Sequence, residues 1–328
     1  MAFSSVNLRL YVYSGTDTSY TDADLRYQLS KDLIIGDTKV NFEIAELIRD
    51  YIDIKFNDDY VSYAVWVRVD SRMLDDNGVE LSYGSPVINT YLATDGYGFF
   101  EEGANAELSR NALLTTNTLY LLEGTAAKLP IFAEGVGKVT IDSSDTQITD
   151  TGNTDQKIQY VDIPADSNLI RVYDTDDTTL LRTIKINNIC EPKFTPYKVT
   201  FVNKYGAFQD IYFFKKSTET FSVTDESYKR NTLANATATY SINQGQRERY
   251  NTNARTNVTL NTGFVNEDFN SAIEELFLSE NVFIRWNNQT LPIIPKSKDL
   301  TFQTSVNDRL SNYAIDFEFA FNKINNVR

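Results

Sequence analysis

Hydrophobic and polar positions alternate along most of this chain with the two-residue period of half-buried strands. Leu8-Arg9-Leu10-Tyr11-Val12-Tyr13 shows it first, followed by Tyr63 to Val69, Leu169 to Tyr173 and Thr183 to Ile186. The runs are rich in β-branched and aromatic residues, which suit a pleated surface. Turn formers punctuate them: Asp76-Asn77-Gly78, Thr94-Asp95-Gly96, Gly135-Val136-Gly137 and Thr151-Gly152-Asn153. Further on, Lys198–Val202 and Asp210–Phe214 flank Asn203-Lys204-Tyr205-Gly206, a hairpin pattern with Gly206 placed for a left-handed turn residue. Two more strand-like runs lie near the end, Leu300–Thr304 and Tyr313–Phe321. In the second, Tyr313, Ile315, Phe317 and Phe319 share a face.

Two stretches change period. In 42–52, Ile44, Leu47, Ile48 and Tyr51 recur at i, i+3, i+4, i+7 and predict a helix with one apolar face. From about 267 to 278, Phe269, Ile273 and Phe277 form a stripe. Asn266 is placed to cap that helix, and Glu267 and Asp268 suit its positive end. The pattern therefore predicts a mainly β protein: two sandwich- or barrel-like domains with one or two short helices packed on them.

Length and charge refine that picture. At roughly 150 residues per domain, 328 residues suggest two. Cys190-Glu191-Pro192-Lys193-Phe194-Thr195-Pro196 reads as a link, because proline breaks regular pairing. Residues 1–191 carry 15 Lys+Arg and 31 Asp+Glu, a net −16; residues 192–328 carry 16 and 14, a net +2. The expected division is thus an acidic β-rich domain, 1–191, holding the helix at 42–52, and a near-neutral one, 192–328, holding the helix at 267–278. The opening ten residues lack a basic segment followed by an apolar one, so a secretory leader is not expected. No apolar run approaches the ~20 residues that span a bilayer, so membrane insertion is not expected.

Composition narrows the chemistry. The chain has no histidine and a single cysteine, Cys190. That removes the Ser-His-Asp triad, the Cys-His pair, imidazole base catalysis, His- or Cys₄-ligated zinc, iron–sulfur clusters and an internal disulfide. Asp75-Asp76-Asn77-Gly78-Val79-Glu80 and Asp174-Thr175-Asp176-Asp177 offer oxygen ligands for calcium, but neither has EF-hand spacing, and both read first as turns. Gly96-Tyr97-Gly98-Phe99-Phe100-Glu101 lacks the third glycine of a dinucleotide fingerprint and reads as a turn between strands. With 45 acids, a carboxylate pair suited to glycoside hydrolysis carries no information. The 42 aromatics include only two tryptophans, Trp66 and Trp286, few for a sugar-stacking surface. The acidic balance argues against nucleic-acid binding. No enzyme, cofactor, metal or small-molecule substrate is expected. The candidate site residues are Arg247, Arg249 and Arg255, a basic cluster in an Asn/Thr-rich stretch. It reads as a solvated loop tip or as a partner for acidic surface on an adjacent copy.

Several segments resemble virion structural proteins of tailed phages that infect Bacteroidetes-type bacteria. They are FEIAELIRDYI (42–52), ATDGYGFFEEG (93–103), KYGAFQDIYFFKKS (204–217), NTGFVNEDFNSAIEELFLSENVFI (261–284) and SVNDRLSNYAIDFEFAFNKINNVR (305–328). The resemblance implies a tail or baseplate building block, distal-tail-like, made in the host cytoplasm and resident in the virion. Its partners would be copies of itself in a symmetric ring, and other virion proteins. None of these segments is a catalytic motif, so no functional residue carries over. Two alternatives stay open: a capsid protein of two jelly-roll domains, and a tail-tip protein that binds or cleaves glycans.

Overall fold

The computed structural model describes residues 4–34, 39–82, 84–98, 112–230, 242–243, 245–297 and 310–324. The chain is mainly β and divides into two compact units. Unit 1 is Met1–Cys190, Thr200–Ile211 and Asp268–Asn281; unit 2 is Glu191–Val199, Tyr212–Glu267 and Val282–Arg328.

In unit 1, β1 (Ser5–Tyr13), β2 (Leu25–Asp32), β3 (Val65–Leu74) and β4 (Val87–Ala93) form an antiparallel sheet in the order β2-β1-β3-β4. The register of β1 on β3 runs without a break from Ser5↔Leu74 to Tyr13↔Trp66. Alternation delivers Leu8, Leu10, Val12, Val65 and Val67 to one buried cluster. Against it pack Ile44, Leu47, Ile48 and Tyr51, the face the period predicts. The helix carrying them is shorter than expected: α1 is Ala45–Arg49, not 42–52. Ile44 stands at its start without a side-chain cap, and the amides of Tyr51 and Ile52 donate to Ile48 and Arg49 three residues back. Such bonds tighten the final turn. Three β-branched isoleucines and no cap leave burial, rather than propensity, to hold this turn.

A second sheet of unit 1 has the order β5-β11-β10-β7-β8, built from β5 (Thr118–Leu122), β7 (Lys138–Ile141), β8 (Ser144–Gln147), β10 (Leu169–Tyr173) and β11 (Leu180–Ile189). β5 and β11 run parallel, from Thr118↔Lys185 to Leu122↔Ile189. A two-stranded pair joins β6 (Ala127–Phe132) to β9 (Ile158–Ile163). The second helix, α2 (Asn270–Leu278), follows a short 3₁₀ turn at Glu267–Phe269, and Phe269 rather than Asn266 takes its N-cap position. Its buried stripe is Phe269, Ala272, Ile273 and Leu276, with Phe277 half-buried.

The remaining sheet has eight strands. Its members are β12 (Tyr197–Val202), β13 (Phe208–Phe213), β14 (Thr218–Lys229), β15 (Arg247–Asn266), β16 (Val282–Trp286), β17 (Gln289–Pro295), β18 (Leu310–Phe319) and β19 (Lys323–Ile324). The order is β13-β12-β16-β17-β18-β15-β14, with β19 also on β15. The hairpin expected at 198–214 is β12 and β13, and Gly206 has φ +75°. On β18, Tyr313, Ile315, Phe317 and Phe319 are buried together while Asn312, Ala314 and Asp316 are exposed. The run at 300–304 lies outside the described residues, as do 231–241 and 244 of the Asn/Thr-rich stretch.

The division of the chain differs from a single cut at 191/192. Residues 200–211 and 268–281, the second helix included, belong to unit 1. Within that unit, the Asn203 amide donates to the Leu113 carbonyl at 2.7 Å, the Tyr60 hydroxyl donates to Asp210 at 2.6 Å, and Asp268 accepts from the Asn117 amide at 2.8 Å. Local composition records where charge changes along the chain; it does not record where a later segment returns.

Candidate functional site

Arg247, Arg249 and Arg255 sit on β15, not at a loop tip. Arg249 Nε lies 2.9 Å from Asp225 Oδ2, across the β14–β15 ribbon. Arg255 donates to Glu318 at 3.0 Å and to Asn322 at 3.1 Å. Lys296 joins the same carboxylate at 2.6 Å, and its hydrogen bond, ahead of the charge of Arg255, lowers the Glu318 pKa. Arg247 stands opposite Lys229 in the register. Arg249 and Arg255 therefore turn to acids of their own sheet, and both are more than half exposed. The Arg249–Asp225 pair, exposed on both sides, contributes about 0–1 kcal/mol.

The ribbon that carries them has a second property, which the arginines conceal in the sequence. All twelve residues of β14 are exposed, including Phe221, Val223 and Tyr228, and Tyr250 across the ribbon is exposed too. Lys323 Nζ lies 5.3 Å from the centre of the Phe221 ring. β14 ends its sheet. On the side away from β15, no described strand pairs with it. The alternation of Thr-Glu-Thr-Phe-Ser-Val-Thr is readable as strand, but a strand's place at an edge is set by tertiary pairing and leaves no local mark.

The sheets have other ends, and most are blunted. β5 and β13 are almost wholly buried. β8 has four residues and an acid, Asp145. β2 carries Arg26, Lys31 and Asp32. Short strands, charges and covering segments are the usual protection of an edge. β4 lacks it. It is uncharged and exposes Val87, Ile88 and Tyr91. Among the described residues, β4 and β14 alone combine an end position with three exposed large apolar side chains.

Unit 1 also holds a cleft of about 380 Å³ beside α1 and the 94–98 turn, reaching Lys204 and Tyr205. Arg49 Nε binds Asp95 Oδ1 at 2.8 Å, and its Nη2 reaches Glu280 at 3.1 Å. Asn281 donates to the other Asp95 oxygen at 3.2 Å. Burial raises the Asp95 pKa, and the Arg49 hydrogen bond and charge only partly oppose it. Nearby, Glu275 of α2 is 1% exposed. Its carboxylate accepts from the Thr115 hydroxyl and, at 3.5 Å, from the Lys204 amide. Burial raises its pKa as well. The Tyr97 hydroxyl donates to the Glu275 carbonyl at 3.1 Å. These bonds fasten α2 to the 94–98 and 203–206 turns.

The remaining candidates act as turn formers. Asp75 Oδ1 accepts from the amides of Asn77 and Val79, both at 2.9 Å. Asp176 accepts from the amides of Thr178 and Thr179 and from the Thr179 hydroxyl, which holds its carboxyl well below the usual range. Among the described residues, no three His, Cys, Asp or Glu side chains are grouped to hold a metal. Trp286 stacks on Tyr197 at 4.7 Å, and Trp66 donates to the Gly15 carbonyl at 3.2 Å. Both are half-buried in strands. Comparison with protein-family models, with curated proteins and with solved structures finds no match to this chain.

Proposed function

We propose that the chain is a structural subunit of a virion, a tail or baseplate building block that assembles with copies of itself into a symmetric ring. The observation that carries this reading is β14, twelve consecutive exposed residues on an end strand with apolar side chains among them. Such a strand is a template for pairing with another chain. Closed symmetric assembly is the common way to satisfy it without open-ended growth. The phage resemblance supplies the virion setting, and no catalytic step is assigned to the chain.

The test is electron microscopy of the purified protein, followed by copy counting in intact particles. Closed rings of one size, and tens of copies per particle, are the expected result. A protein that stays monomeric at high concentration overturns the assembly. Hundreds of copies per particle overturn the tail assignment in favour of a capsid shell.

A further inference from the structure

We propose that the β14 edge of one copy pairs with the β4 edge of a second copy, joining subunits head to tail. The proposal rests on the self-assembly reading above and names the surfaces that assembly uses.

Two observations carry it. The first is the survey of edges. Among the described residues, each copy offers two strand edges without a second partner strand that carry exposed apolar side chains, Val87, Ile88 and Tyr91 on β4 and Phe221, Val223 and Tyr228 on β14. β4 spans seven residues and β14 twelve, so a full-length partner for β4 fits within β14. Backbone pairing along an added strand supplies affinity, and alternate side chains supply register.

The second is charge, which decides which edges meet. Unit 1, which contains β4, holds 16 Lys+Arg and 35 Asp+Glu, a net −19. Unit 2, which contains β14, holds 15 and 10, a net +5. Pairing β4 with β4 sets −19 against −19, and pairing β14 with β14 sets +5 against +5. Only the mixed pairing joins units of opposite net charge, and β4, being uncharged, sets no like charge against Glu219, Asp225 and Glu226 of β14. Complementary charge of this kind selects partner and orientation. It also gives a heterologous contact, the type that closes into rings when the rotation permits. The occupant of each edge is therefore the other edge of a neighbouring copy.

The experiment uses the full chain and two single variants at exposed positions, Val223→Lys on β14 and Ile88→Lys on β4. Circular dichroism melts close to wild type show that each is folded. Light scattering behind size exclusion then reads the mass. Wild type is expected to form species larger than the monomer. Each variant alone is expected to associate at least about tenfold more weakly, because it buries an unpaired charge in the contact. An equimolar mixture of the two variants keeps one good β4 edge and one good β14 edge. It is expected to give a dimer and nothing larger. If both variants assemble like wild type, the edges named are wrong while self-assembly stands. If only one variant is impaired, or the mixture gives no dimer, the head-to-tail pairing is wrong. If wild type itself is monomeric, this inference and the functional reading fall together.

Discussion

Gly96 has no room for a side chain. A Cβ there would lie 2.5 Å from the Lys204 carbonyl oxygen, and one at Gly206 would lie 2.6 Å from Thr94 Cβ. The two turns interlock through backbone, with the Tyr97 amide donating to that same Lys204 oxygen at 2.9 Å. Gly96→Ala is expected to cost about 1–3 kcal/mol, the usual penalty for overpacking, read as a lower urea midpoint at unchanged slope. Glu275 gives a pH dependence whose sign is fixed. Its pKa is raised in the folded state by burial, so the native protein takes up this proton more readily than the unfolded chain. The stability of wild type relative to Glu275→Gln is expected to rise as pH falls from neutrality through the folded-state pKa. Thermal melts of both proteins across that window check it, and parallel pH profiles would refute it. At this scale the sequence shows that Asp95 and Gly96 make a turn. It does not show that Asp95 and Glu275 are buried, because their partners come from segments 46 to 186 residues away.

Strands were the most legible elements. β1, β10 and β18 follow directly from alternation, β12 and β13 from the hairpin pattern around Gly206, and the buried face of β18 is the one the pattern predicts. What alternation leaves out is pairing. The parallel contact of β5 with β11 joins residues more than sixty positions apart, and no local signal specifies it. Arg182, on β11, helps to fix that region. Its guanidinium donates to the carbonyls of Ala112, Leu114 and Thr116, and its Nε donates to the Asn117 side chain at 2.8 Å. Burial lowers its pKa. In the sequence it is one more polar residue in an alternating strand. Arg182→Leu leaves three carbonyls without this donor and is expected to destabilise by about 3 kcal/mol or more. Hydrogen exchange should speed first in β5, which follows the clasped segment. Unchanged exchange there would show that the clasp is dispensable. α1 is the converse case: its apolar face was legible and its length was not, since one uncapped turn depends on the sheet beneath it.

At the scale of the molecule, the charge split visible in sequence is larger once the units are drawn by structure. The acidic segment 268–281 and the neutral segment 200–211 join unit 1 while Glu191 passes to unit 2, which moves the two sides from −16 and +2 to −19 and +5. If oppositely charged units meet in the proposed assembly, association must weaken with salt. Raising ionic strength from about 0.05 to 0.5 M is expected to slow association by roughly tenfold or more. Stopped-flow light scattering reads this rate, and a salt-independent rate would point to apolar docking alone. The Asn/Thr-rich composition drew attention to the arginines of β15, whereas the strand itself has the larger consequence. Twenty residues of extended chain measure roughly 65 Å. From Asn257 to Thr259, β15 is bonded on both sides, to β14 and to β18. Its hydrogen bonds lie across its axis. Tension applied along that axis loads them all at once in shear, while the same force applied sideways at one end peels them one at a time. The mechanical strength of this chain is therefore directional, with β15 as its stiff axis.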